Sequence, residues 1–165
     1  MLLLKHLESV MPARVYEVIK NYKLYMCVLE MTVSVIIDEF ERAVYDLESV
    51  EGFKSADFDA IMDKVCAEYG NFTTLEQNIM DINEYWRLTA TNSPVYYISY
   101  ATSLTEALNV FAEAELDYDN AKEIYRIIIE EVSEDEKFRD AAAMAGLTDP
   151  FDKKTFESII AMILN

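Results

Sequence analysis

Three tyrosines fall within five residues, at Tyr96, Tyr97 and Tyr100. On a helix Tyr96 and Tyr100 share a face, with Tyr97 beside them. A row of phenols can line a cleft and donate hydrogen bonds to a carbonyl or a developing oxyanion. It can equally be core packing whose hydroxyls reach the surface. The second group is Asp38-Glu39-Phe40-Glu41-Arg42. Paired carboxylates can serve as acid and base or hold a metal, but in a long helix a solvated face partnered by Arg42 is the expected reading. His6 is the single histidine and is expected to be a partly exposed helical residue. A His-Glu-x-x-His zinc site needs two imidazoles four apart on one helical face, and a di-iron bundle needs paired Glu-x-x-His; neither is present. Cys27 and Cys66 have no histidine near them in sequence and read as buried free thiols in a reducing compartment. Glu115-x-Asp117-x-Asp119 resembles the opening of a calcium loop. Asn120 stands where that loop needs Gly and Arg126 where it needs Glu, so the motif is rejected. No phosphate loop or dinucleotide fingerprint occurs.

Helices must position these groups. Only 3 Gly and 3 Pro occur in 165 residues, too few for the turns of a β-rich chain, so the expected fold is all-α. The expected architecture is one helical domain over 1–165, a bundle with one long central helix at about 13–48 and several shorter ones. In that helix Val15, Ile19, Tyr22, Met26, Leu29, Val33, Ile36, Phe40, Ala43 and Leu47 alternate steps of four and three. This spacing places them on one stripe of a rod on the order of 50 Å long. A coiled-coil seam has the same steps. Apolar flanking rows favour burial inside a bundle.

Before it, Leu2 to Val10 reads as the end of a helix, and Pro12 punctuates. After it, Glu51-Gly52 is a stop and Ser55 a cap. Phe58, Ile61, Met62, Val65, Cys66 and Tyr69 form the next stripe, stopped by Gly70. Thr73-x-x-Glu76 reads as a capping box, and Trp86 to Asn92 as a loop or break. Ser93-Pro94 is a helix-start signal, predicting a helix to about Leu116. Further helices are expected over Tyr118–Val132, after the Ser133-x-x-Glu136 box, and after Asp149-Pro150.

Asp plus Glu total 31 against 14 Lys plus Arg, a net charge of -17. That balance argues against nucleic acid and anionic membranes and permits basic partners. Hydrophobic residues are 52% of the chain, which excludes a disordered polymer. No stretch has the uncharged length of a membrane span, and Met-Leu-Leu-Leu-Lys-His-Leu has too short an apolar run for a signal peptide. The expected location is the cytoplasm.

Ser93-Pro94-Val95-Tyr96-Tyr97-Ile98-Ser99-Tyr100-Ala101-Thr102, preceded by Trp86, resembles the C-terminal part of the M3 family of zinc oligopeptidases, the oligoendopeptidase F and thimet-like enzymes. In that family a Trp, a His-containing loop and a Tyr-Tyr-x-Ser-Tyr-Ala-Thr helix follow one another. Ile37 to Tyr45 is similar to its acidic and aromatic run, Glu68-Tyr69-Gly70 to its helix-ending Tyr-Gly, and Ala145 to Phe151 to its last turn. Met1 to Leu7 is similar to a Leu-rich helix that follows the metal site. The matches keep their order along nearly the whole chain.

The resemblance implies a helical lobe. It gives Tyr100 the role of oxyanion donor and gives Tyr96 and Tyr97 a place lining the cleft. The family uses zinc, but its histidines, its glutamate base and its third ligand all precede the point matching Met1. The family's loop histidine also has no counterpart within Leu88–Ser93. The chain is therefore expected to hold no cofactor and to be inactive alone. It would be a remnant or one part of a split enzyme, or else a non-catalytic interaction protein. The partners implied are a peptide, a complementary chain or a second copy in a homodimer.

Overall fold

A computed structural model describes residues 1–69 and 89–164. Its helices are α1 (Leu2–Glu8), α2 (Ala13–Tyr45), α3 (Ser55–Glu68), α4 (Ile98–Leu116), α5 (Tyr118–Glu130), α6 (Phe138–Met144) and α7 (Lys153–Leu164). Residues 89–92 are also helical, and no strand occurs among the described residues. The fold is all-α. Gly70, the Thr73-x-x-Glu76 box and Trp86 lie outside the described residues.

Contacts group the chain into two compact units, one of Met1–Leu29 with Thr102–Asn165, the other of Glu30–Ala101. The boundaries fall within α2 and α4. In the Glu30–Ala101 unit, Ile36, Ile37 and Phe40 of α2 form a core with Met62 and Val65 of α3, and Val44, Phe58, Ile61, Ala90 and Tyr97 pack against it. Apolar residues at steps of three and four on both helices make that contact. In the other unit, Val110 of α4, Ile124 of α5, Ala142 of α6 and the Ala145–Leu147 turn share a core, with Leu2, Ile127 and Ile128 against it. Buried Asn109 ties α4 to that turn by donating to the Thr148 carbonyl at 3.2 Å.

The long helix is there but is 33 residues and ends at Tyr45. The expected stripe holds at Ile36 and Phe40, which are buried, and differs at its start. Val15 and Tyr22 are exposed, while Tyr16 and Leu24 are 2% and 4% exposed. A second inward line runs Tyr16, Lys20, Leu24, Cys27, Met31, Ser34, Asp38 and Glu41, of which Tyr16, Leu24, Met31, Ser34, Asp38 and Glu41 are buried. Those steps are four, four, three, four, three, four and three, as a helical row requires. An apolar-only reading skips the row because it ends in three polar residues.

Local signals differ in detail. Ser55 is the first residue of α3 rather than its cap; the Lys54 N–H before it donates to Asp57 at 2.7 Å. Asp117, rejected as a calcium ligand, is the cap of α5 and accepts from Asp119 and Asn120 N–H, both at 3.0 Å. Ser133 accepts from Asp135 N–H in a turn, and α6 begins only at Phe138. Gly146 at φ +78° closes α6 in the left-handed conformation that suits glycine. Cys27 and Cys66 form no disulfide and are half-buried rather than buried, and the Cys66 thiol donates to Met62 Sδ at 3.6 Å.

Candidate functional site

Ser93-Pro94 does not start a helix. Tyr96 N–H donates to the Ser93 carbonyl at 3.3 Å, closing a β-turn with Pro94 at its second position and Val95 at its third. Val95 has φ +61°, as the third position of a type II turn requires, although glycine is the residue expected there. A β-branched side chain in that region is strained by roughly 1–2 kcal/mol. The helix begins after the turn, at Ile98.

The cause of the turn lies on α2. Glu41 is 5% exposed, and its Oε2 accepts the Val95 N–H at 2.9 Å. A helix starting at Pro94 would have offered that N–H to the Ser93 side chain. The buried carboxylate takes it instead and holds Val95 where a helix cannot pass. Burial pushes the Glu41 carboxyl above its ordinary range, the Val95 amide opposes this, and nearby Asp38 adds to it. Glu41 Oε1 is buried with no partner among the described residues. Asp38 is also buried, and its Oδ2 accepts from Arg42 Nε at 2.6 Å. The solvated face expected for Asp38 and Glu41 is thus corrected: Glu39 and Arg42 are exposed, whereas these two point inward. Strain at one residue beside a desolvated carboxylate is the kind of arrangement found at functional sites.

The turn presents the three tyrosines as a cluster. Tyr96 and Tyr100 meet edge to face with centroids 5.3 Å apart, and Tyr97 lies 6.2 Å from Tyr96 and 5.4 Å from Tyr100. Tyr97 packs against the core, whereas Tyr96 is 51% and Tyr100 37% exposed. A hydrogen bond to the Tyr96 side chain raises the Tyr100 phenol above its ordinary value, with neighbouring Tyr97 and Glu30 contributing. Tyr100 is therefore held more firmly in its neutral phenol form.

No family model matches this chain, and no characterised protein or solved structure does.

His6, the one imidazole, is exposed on α1. Among the described residues no three His, Cys, Asp or Glu side chains converge on one point. None of the described helices is long and apolar enough to cross a membrane.

The tyrosines were legible as a cluster. Glu41 and Val95, which hold them, were not. The signal for Glu41 was its place on the row continued from Leu24 and Met31. Val95 carried none, since valine is a poor candidate for a left-handed turn position.

Proposed function

We propose that this chain is a helical lobe like the C-terminal part of an M3 oligopeptidase, forming a peptide-facing wall and not a complete catalyst. The observation that supports the reading is the Tyr96–Tyr100 pair, exposed and held at a turn pinned by Glu41. Two phenols in series can donate to a peptide carbonyl oxygen and bind it more tightly as negative charge grows there. Tyr97 anchors the pair to the core. The resemblance of Ser93–Thr102 to the family's tyrosine helix assigns the donor role to Tyr100 and the cleft lining to Tyr96 and Tyr97.

Taken alone the chain does not hydrolyse peptides. Zinc peptidases of this class need a metal-activated water and a general base, and one histidine cannot supply that centre. A segment or separate chain carrying His-Glu-x-x-His would complete it. The location that goes with this reading is the cytoplasm, which the lack of a disulfide at Cys27 and Cys66 supports.

The test is titration of the pure chain with a short peptide, followed by tyrosine resonances, and then assay of a mixture with a zinc-bearing M3 N-terminal part. The expected result is saturable peptide binding weakened by Tyr96→Phe and Tyr100→Phe, with chelator-sensitive turnover only in the mixture. Turnover by the chain alone, or binding indifferent to both substitutions, overturns the reading.

A second reading, a non-catalytic protein that pairs with its own copy, is favoured by a separate observation. Val15, Val18, Tyr22 and Tyr25 are all exposed along one line of α2 at steps of three and four. Such a line suits a two-helix seam. Sedimentation that finds a dimer, dissociated by Val18→Glu, supports it; a monomer at high concentration removes it.

A further inference from the structure

Tyr96 and Tyr100 belong to the Glu30–Ala101 unit, whose charge is lopsided. Between Glu30 and Tyr69 stand 11 Asp and Glu against 3 Lys and Arg. One of those three, Arg42, is already paired with Asp38 at 2.6 Å. Two of the carboxylates act on the tyrosine segment itself. Glu41 Oε2 lies 2.9 Å from the amide of Val95, the residue before Tyr96. Glu30, half-buried on α2, is near enough for its charge to raise the Tyr100 phenol. The Tyr96 and Tyr100 rings cross at 88° with centroids 5.3 Å apart, and Tyr96 is 51% exposed.

We propose that this wall selects cationic peptides, seating an arginine or lysine side chain of the bound peptide against the Tyr96 and Tyr100 rings beside Glu30. The peptide-facing role of these tyrosines, on which this rests, leaves the charge of the peptide open. An aromatic face is negative and attracts a cation held within about 6 Å of its centroid. Tyr96, half open to solvent, can present its face to one. Arginine fits best, because its planar, weakly hydrated guanidinium stacks on such a ring. Glu30 and Glu41 add opposite charge on the protein side. An acidic peptide side chain would meet like charge there, and a neutral one would gain neither term. At physiological salt, charges more than about 8 Å away are largely screened. The carboxylates at the turn, rather than the net charge of -17, therefore set the preference.

The test uses the full chain and three acetylated, amidated pentapeptides, Gly-Gly-X-Gly-Gly with X as Arg, Leu or Glu, followed by tyrosine resonances. The Arg peptide is expected to bind about fivefold more tightly than the Leu peptide, and the Glu peptide most weakly. Most of the Arg preference is expected to vanish at about 1 M salt. Tyr96→Phe loses the hydroxyl but keeps the ring, so it weakens binding of each peptide and retains the preference. Tyr96→Leu has no ring and is expected to bring the preference below about twofold. Equal affinity for the Arg and Leu peptides overturns the proposal and leaves the peptide-binding reading standing. Absence of saturable binding by any of the three overturns both. A folded Tyr96→Leu chain that keeps the preference also overturns the proposal. If that chain does not fold, Glu30→Gln decides: an undiminished preference there overturns the proposal, and a reduced one supports it.

Discussion

The Val95 amide donates to Glu41 Oε2 at 2.9 Å, joining residues 54 positions apart in the chain. One buried carboxylate thereby decides where the tyrosine helix begins. Glu41→Gln keeps an acceptor for Val95 and removes the desolvated charge. Because burial raises the Glu41 carboxyl above its ordinary 4.5, the folded state binds the proton more tightly than the unfolded chain does. Stability contributed by that proton is then full below the ordinary value and lost as pH rises through the folded one. Glu41→Gln is therefore expected to be more stable than the native chain by about 1 kcal/mol near neutral pH, with the difference closing below about pH 4. Urea unfolding at the two pH values measures it. Glu41→Ala strands the amide and is expected to lose about 1–3 kcal/mol.

Val95→Gly relieves the backbone. The native φ of +61° costs a branched residue roughly 1–2 kcal/mol, and the side chain is exposed, so little packing is lost. Glycine returns about 0.5–1 kcal/mol through the freedom of the unfolded chain. The expected net gain is about 0.5–1 kcal/mol, read as a higher denaturation midpoint at unchanged slope. A loss of stability would show that the valine side chain holds the turn.

The placement of α2 can be tested by a pair of truncations. Leu24→Ala, in the buried row, is expected to cost about 2–5 kcal/mol. Val15→Ala, on the row that hydropathy alone selects, is expected to stay within about 0.5 kcal/mol of the native chain. The reverse order would return the helix to the apolar-only stripe.

Tyr100 should titrate above an ordinary tyrosine, because ionising it breaks the hydrogen bond to Tyr96. Tyr96→Phe removes that partner and is expected to bring the Tyr100 titration back towards the ordinary value. Ring-carbon resonances followed to high pH report each tyrosine separately. No change in Tyr100 on Tyr96→Phe would show that the two phenols act independently.

Much of this protein is legible in its residues without coordinates. The scarcity of Gly and Pro excludes sheets, because strands need turns and turns need those residues. The apolar spacing of Ile36, Phe40, Met62 and Val65 identifies the α2 and α3 faces, because a helix repeats every 3.6 residues. Three tyrosines in five residues announce themselves by type alone. Tertiary structure decided what local pattern could not. Ser93-Pro94 satisfies every local rule for a helix start and is a turn. An acceptor far away in sequence outcompetes the serine beside it, and no local rule sees that acceptor. Tyr16 and Leu24 displaced Val15 and Tyr22 from the interior because burial depends on which neighbours arrive, and the row they begin ends in Ser34, Asp38 and Glu41. A polar residue is buried wherever its partners are buried with it, and those partners are set by the fold.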